Sequence, residues 1–410
     1  MMYDLLKRKN KRTREYALEF ARDLIRTPSV SLQENEVADR VEQEMEELLY
    51  DEVLRDDAGN VVGVMRGREN GPTLLLNCHM DTVGVDSADE WSKPPFGAEV
   101  DRGRLYGRGA ADCKGGLAAQ IYAAALLKRA LLPLKGNIVV AATVAEENGR
   151  SVGVRELISR TLPDLKLEPD YAILGEPTHL ALYYGHDGWV ELELQIKGSD
   201  PFQVDDAAQA IHAELQSEME SPSDAADRQD ADVREPWFEG QGGTRRARIS
   251  MDSRLRSADE LEKQLRRVQR NAALVADSVG AVAVDVTVGS EQQTLYTGRT
   301  VTVRNVTHAW SIDPFHSLMD RARNALQAAG CPARAGTWHL DRLRMGTAGS
   351  VLVNEFNIPT IGYGPGSEVE AHSPDECVEV DNLNEAIYGT AAIAHKLVGI
   401  PVFGWPADEI

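Results

Sequence analysis

The sequence predicts an α/β protein in two parts. A discontinuous larger domain, residues 1–188 plus 312–410, would hold a central, mostly parallel sheet flanked by helices, and a smaller α+β domain would be inserted at 189–311. Three observations predict this. Short apolar runs alternate with helical periods up to residue 174, which is the pattern of strand–helix–strand crossovers. Residues 190–197 then switch to alternating apolar and polar side chains, as a strand with one wet face does. Finally, a fully apolar run returns at 358–364.

Taken in order, 13–27 and 34–49 carry apolar residues at helical spacing, with Ser29 or Ser31 available to start the second helix. Apolar runs at 61–65, 73–77, 137–145 and 171–174 read as buried strands. An Ala/Leu-rich helix at 115–130 lies between two of them, and Pro133 and Gly136 close that connection. In the middle, the strand at 190–197 precedes a helix at 205–220, and the polar, acidic run S-P-S-D-A-A-D-R-Q-D-A-D reads as a surface loop. A strand at 247–255, a helix at 258–278 and strands at 282–288 and 300–306 follow. A helix resumes near Asp313. No internal repeat and no long low-complexity tract interrupts this order.

Composition narrows the function. With 410 residues and 42% hydrophobic side chains, the chain can bury more core than one domain usually holds. Its 44 basic residues face 65 acidic ones, a formal charge of −21, which excludes binding by phosphate neutralisation and disfavours anionic membranes. Arginine dominates the basic set, which suits solubility at high salt and ordinary solubility alike. Cys78, Cys113, Cys331 and Cys377 are scattered without a C-x-x-C pair, so neither a disulfide scaffold nor a thiolate zinc knuckle is expected. The basic start lacks a following apolar segment, and no run is long enough to span a bilayer; a soluble, cytoplasmic protein is expected.

The chemistry sits where the apolar strands stop. The run 73–77 leads into His79 and Asp81, 137–145 into Glu146 and Glu147, 171–174 into Glu176, and 358–364 through Gly364 and its neighbouring glycine into His372. Carboxyl ends of parallel strands converge on one edge, where ligands bind. Imidazoles and carboxylates gathered there are a metal-ligand inventory. Asp81, two residues from His79, would face the same side and orient the imidazole; an isolated H-x-D is otherwise a surface turn. Asp112 lies in G-R-G-A-A-D-C-K-G-G and would either cap a helix or bridge metals. The Glu146–Glu147 pair is either an exposed acidic loop or one ligand beside one free base, since a buried pair needs a cation between its members.

Taken together, L-L-L-N-C-H-M-D-T-V, W-S-K-P-P-F-G-A-E-V-D-R-G-R-L-Y-G-R-G-A-A-D-C-K-G-G, A-E-E-N-G, L-G-E-P-T and G-Y-G-P-G-S-E-V-E-A-H-S-P-D-E resemble, in order, the M20 metallopeptidase family, which includes acetylornithine deacetylase, succinyl-diaminopimelate desuccinylase and carboxypeptidase G. The resemblance implies two divalent metal ions, zinc in the first place and cobalt or manganese as alternatives. By position, His79 and Glu176 would hold one ion, Glu147 and His372 the other, with Asp112 bridging. Glu146 matches the general base and Asp81 the residue supporting the metal-bound histidine. The substrate would be an N-acyl amino acid or a short peptide, with no nucleic acid or membrane partner. The inserted domain would serve as a closing lid and as the surface of a homodimer.

The match thins in the inserted domain. Phe202 stands where many members carry a lid histidine, and an N-x-x-P element is not evident at 242–246. Arg254, in Asp252-Ser253-Arg254, would clamp a substrate carboxylate or pair with a surface acid. His186 is a candidate replacement for the lid histidine, His339 and Asp341 are open cleft candidates, and His212 reads as a packing or surface residue. Arg254, His186 and Gly364 are therefore the expected substrate contacts. Cys78 and Cys113 read as small buried residues. The leading expectation is a deacetylase- or desuccinylase-like hydrolase. A dipeptidase or carboxypeptidase is the alternative within the class, and a non-catalytic metal-binding assembly protein the alternative outside it.

Overall fold

The computed structural model describes residues 2–148, 151–220, 232–240, 245–280, 282–338 and 346–401. Gly149, the acidic run at 221–231, residues 242–244, His339 and Asp341 lie outside them.

Among the described residues, the large sheet runs in the order Glu52–Arg55, Val61–Met65, Asn137–Thr143, Thr73–His79, Tyr171–Leu174, Thr360–Gly362, Leu182–His186 and Trp310–Ser311, with Ala335–Trp338 also paired to Leu182–His186. The middle of the sheet, from 137–143 across to 360–362, is parallel. Its flanks are antiparallel, apart from Ala335–Trp338, which runs parallel to Leu182–His186, so the sheet is mixed. Connection length explains the difference. A tight turn at 56–60 allows only antiparallel pairing, whereas helix Lys114–Arg129 provides the crossover that parallel strands need.

Helices cover both faces. Leu74, Leu76, Ile138, Val140, Ile173 and Ile361 point into one core shared with helices Met2–Arg26, Lys114–Arg129, Ser317–Ala329 and Val380–Val398. Their neighbours Leu75, Val139, Ala172 and Leu174 point into a second core with Val154, Leu157 and Leu352. This two-sided burial explains why these strands read as continuous apolar runs.

A separate sheet pairs Asp232–Val233, Arg246–Leu255, Gly188–Gly198 and Val282–Val288, with Trp237–Glu239 and Val306–Thr307 at its margins. Val190, Leu192, Leu194 and Ile196 face helices Pro201–Glu220 and Glu260–Val279 in a core drawn from residues 190–282. The expected single strand at 300–306 is instead divided. Thr300–Arg304 pairs with Ser290–Thr294 in a hairpin, and Val306–Thr307 pairs with Gly188–Gly198. Gly289 donates to the Glu191 carbonyl and Asn305 to the Gly289 carbonyl, so the hairpin is spliced into an otherwise continuous path along that strand. It reaches back to the large sheet: Leu295 and Val303 join the large core, and the Tyr296 hydroxyl donates to the Gly59 carbonyl at 2.7 Å.

Two local expectations change. The first helix starts at Met2, because Met2, Leu6, Asn10 and Thr13 extend the buried stripe beneath the exposed basic run. Ser29 and Ser31 cap nothing; their hydroxyls donate to the Met80 carbonyl and to Asp81 Oδ2. Among the described residues no helix is long and apolar enough to cross a membrane.

Candidate metal centre

Because Thr73–His79 is buried along its whole length, polar chemistry collects where it ends. His79 closes that strand, and Asp112 stands just before helix Lys114–Arg129. Glu146 and Glu147 follow Asn137–Thr143, Glu176 follows Tyr171–Leu174, and His372 lies beyond Thr360–Gly362. The fold brings them together. His79 Nε2 lies 3.2 Å from Asp112 Oδ1 and 3.8 Å from Glu176 Oε2. His372 Nε2 lies 2.8 Å from Glu147 Oε2 and 3.4 Å from Asp112 Oδ2. Asp112 thus turns one oxygen toward each imidazole, and its side chain makes no cap on the helix.

The donor set fits divalent cations. Ligand atoms of His79, Asp112, Cys113 and Glu176 lie within 4.8 Å of one another, as do those of Asp112, Glu147 and His372. Asp112 Oδ2, Glu147 Oε1 and Glu176 Oε1 are buried without a hydrogen-bond partner. Buried carboxylate oxygens left in that state are costly unless a cation faces them. Nitrogen and oxygen donors of this kind suit zinc and its neighbours.

Electrostatics tell the same story. Burial pushes the Glu176 carboxyl up to about 7 and raises Glu146 and Glu147 as well, with their acidic neighbours adding to it. Burial works against ionised Asp112 too, yet the imidazoles of His372 and His79 beside it hold its carboxyl below the usual range. Burial would lower His372, but Glu147 and Asp112 overrule it and lift the imidazole to about 11. Crowded acids that must borrow protons from imidazoles are groups short of positive charge.

Asp81 lies beside His79 and takes on further partners. His79 Nδ1 lies 2.9 Å from the Asp81 backbone carbonyl and 3.6 Å from its carboxylate. The carboxylate also accepts the backbone N–H of Glu146 and of Glu147, each at 2.9 Å, and the Ser31 hydroxyl at 2.6 Å. Beside it, Glu34 accepts the Ala145 N–H at 3.0 Å. Ala145 and His372 are non-glycine residues in the left-handed region, at φ 54° and 59°, a strain that persists where the surroundings impose it. Glu146 belongs to neither donor group; its Oε1 accepts the Ser151 hydroxyl at 3.2 Å.

Glu376 escaped sequence reasoning. Its buried carboxylate accepts Arg108 Nη1 at 2.7 Å and the backbone N–H groups of Gly109, Ala111 and Asp112. It thereby fixes the turn that carries Asp112. The available signal was that turn itself, whose donors need an acceptor. Gly364 has a related use, since a Cβ there would collide with the Gly175 and Glu176 carbonyl oxygens.

The remaining candidates lie elsewhere. His186 is caged by Trp310 and Trp338; its Nε2 accepts the Thr347 N–H at 2.8 Å and its Nδ1 donates to the Asp187 carbonyl. Burial pushes that imidazole down to about 4. Arg254 Nε pairs with Asp187 Oδ2 at 2.9 Å, and Phe202 is 80% exposed. His212 is buried on helix Pro201–Glu220. The Cys113 thiol sits between the His79 N–H and carbonyl, and the Cys78 thiol donates to Gln120.

A mixed α/β sheet delivering imidazoles and carboxylates to one edge, with unpartnered buried oxygens at their centre, defines a metal-dependent hydrolase. The model of Peptidase family M20/M25/M40 matches residues 75–396, and the chain belongs to that family, as a metal-dependent amidohydrolase. It is 28% identical over 372 residues to the uncharacterized protein YgeY of Escherichia coli (strain K12), covering 87% of this chain and 88% of that one. It is 31% identical over 189 residues to succinyl-diaminopimelate desuccinylase 2 of Ruegeria sp. (strain TM1040), covering 44% of this chain and 47% of that one. Among solved structures, the YXEP protein of Bacillus subtilis, a dinuclear metal binding peptidase, superimposes with a TM-score of 0.68 at 18% identity, over 94% of this chain and 98% of that one.

Proposed function

We propose that the protein hydrolyses the amide bond of an N-acyl amino acid, with His79 and Glu176 holding one divalent cation, Glu147 and His372 a second, and Asp112 between them. The observation that carries the reading is Asp112, whose two oxygens face two separate imidazoles while Oδ2 has no hydrogen-bond partner. The match to a desuccinylase supports an acylated amino acid as substrate, and the fold shared with a dinuclear metal binding peptidase keeps a short peptide as the second reading.

Zinc is the assigned cation, and when bound the pair supplies an acidified water and positive charge for the developing oxyanion. The chain's own residues do the rest. Glu146, beside the donor groups but in neither, takes the proton of the attacking water and hands it to the departing nitrogen. Ser151 orients its carboxylate, and Asp81 holds its backbone. Residues 189–311 form the inserted domain in this reading, covering the cleft and pairing two copies of the chain; sedimentation of the purified protein checks the dimer.

The test is a panel of N-acyl amino acids and dipeptides with zinc or cobalt supplied. Glu146→Ala should lower kcat by about a thousandfold while retaining the metal content of the wild type. A wild type that carries both ions yet turns over no member of the panel would sink the proposal.

A further inference from the structure

The turn that delivers Glu146 and Glu147 is held by side chains from distant parts of the chain. Past the end of Asn137–Thr143, Val144 donates its N–H to Asn60 Oδ1 at 3.1 Å and Ala145 donates to Glu34 Oε1 at 3.0 Å. Glu146 and Glu147 each donate to Asp81 Oδ2 at 2.9 Å. Two of these acceptors have other work. Asp81 lies beside His79, and the Asn60 amide also donates to Asp56 and to the Gly153 carbonyl.

Glu34 is the acceptor without an evident second task. It stands just before helix Asn35–Glu47, yet its side chain makes no cap there. It is fully buried, and its Oε2 has no hydrogen-bond partner. A carboxylate is costly to bury, so its placement asks for a use. Its Oε1 accepts a second N–H, that of Leu32 at 3.0 Å. Both donors to this oxygen are left-handed, Leu32 at φ 73° and Ala145 at φ 54°. That conformation is disfavoured for a residue with a Cβ and free for glycine, so it persists where the surroundings stabilise it.

The consequence is directional. Just past Ala145, Glu146 Oε1 accepts the Ser151 hydroxyl while Glu147 Oε2 reaches His372 Nε2 at 2.8 Å. Adjacent acids thereby go to different places, one free of the donor groups and one inside them. An Ala145 relaxed to extended backbone would re-aim both.

We propose that Glu34 is a positioning residue, which holds Ala145 left-handed and so keeps Glu146 and Glu147 in their separate roles. The proposal rests on the two-cation hydrolase reading above and adds the device that sorts its paired glutamates.

The experiment strips the full chain of metal with a chelator and titrates it with cobalt, beside turnover of the best N-acyl amino acid of the panel. Glu34→Met fills the same space without an acceptor. It should weaken the second cobalt equivalent about tenfold or more while the first binds as in the wild type, and kcat should fall with KM held. Glu34→Gln keeps an oxygen for both N–H groups and should recover most of the loss. In an Ala145→Gly background, where glycine takes the left-handed turn unaided, the effect of Glu34→Met should largely disappear. If Glu34→Met does not fold, Glu34→Asp carries the same test, its carboxylate being one methylene short of Ala145. Equal weakening of both equivalents, no weakening, or an undiminished effect in the Ala145→Gly background overturns the proposal. If the wild type binds two equivalents yet turns over no substrate, the hydrolase reading fails separately and the titration still decides Glu34.

Discussion

Strands Thr73–His79 and Gly188–Gly198 show two ways of using a strand. The first is buried on both faces from end to end, so polar groups belong at its terminus, where His79 meets Asp112 and Glu176. The second buries every other residue, and its wet face carries ion pairs such as Arg248–Glu193 and Arg234–Glu191. The lesson concerns where charge is expensive. In the large sheet each buried carboxylate must be satisfied by backbone N–H groups, arginine or a cation, and these demands hold the site in shape. In the smaller sheet solvent satisfies the same groups, and pairs of that kind contribute about 0–1 kcal/mol.

The largest effect that tests this contrast is at Glu376. Glu376→Gln leaves Arg108 buried without its partner anion and offers an amide where several donors converge. Urea unfolding should show a loss of about 3–5 kcal/mol, with metal affinity falling because the Asp112 turn loosens. A loss below about 1 kcal/mol would mean that the buried carboxylate behaves like a surface one and would break the comparison.

Legibility followed the same division. His79, Glu146, Glu147, Glu176 and His372 could be placed at one edge because each follows an apolar run whose end is visible in the sequence. Glu376 was missed because an acid that accepts backbone N–H groups looks, in S-P-D-E, like any acid in a polar turn. Asp81 was legible only in part. Its carboxylate stays 3.6 Å from His79 Nδ1, but the N–H groups of Glu146 and Glu147 that it also accepts come from a distant strand end, which the H-x-D spacing does not announce. The hairpin was hidden because Ser290–Thr294 is polar, with Gln293 its single buried residue, so no apolar alternation announces a strand.

His186 lies at the seam, ending Leu182–His186 in the large sheet two residues before Gly188–Gly198 begins. Its imidazole is held down at about 4 by burial, whereas in the unfolded chain it titrates near 6.5. The unfolded state therefore binds the extra proton first as pH falls. The stabilisation is fully present above about 6.5 and is lost as the pH drops toward 4, with a ceiling of about 3 kcal/mol. His186→Gln should reduce the fall in stability with pH across that window by up to that ceiling, while His395, which burial also holds at about 4, keeps its own contribution. An unchanged slope would assign the seam to the solvent-satisfied half of the molecule.

The smallest effect probes whether the two halves are mechanically joined. The hairpin tip sits on the large sheet through Tyr296 on Gly59, the Thr297 hydroxyl on the Asp57 carbonyl at 3.0 Å, and Arg299 on Glu156 at 2.7 Å. Asn148, next to Glu147, donates to Gln293 at 2.9 Å, so the hairpin also touches the turn that carries the proposed base. Tyr296→Phe removes one half-buried hydrogen bond and should cost about 1 kcal/mol. If the halves unfold as one unit, that loss lowers a single denaturation midpoint. If the hairpin is merely a surface appendage, the midpoint stays put and protease cleavage at the hairpin rises alone.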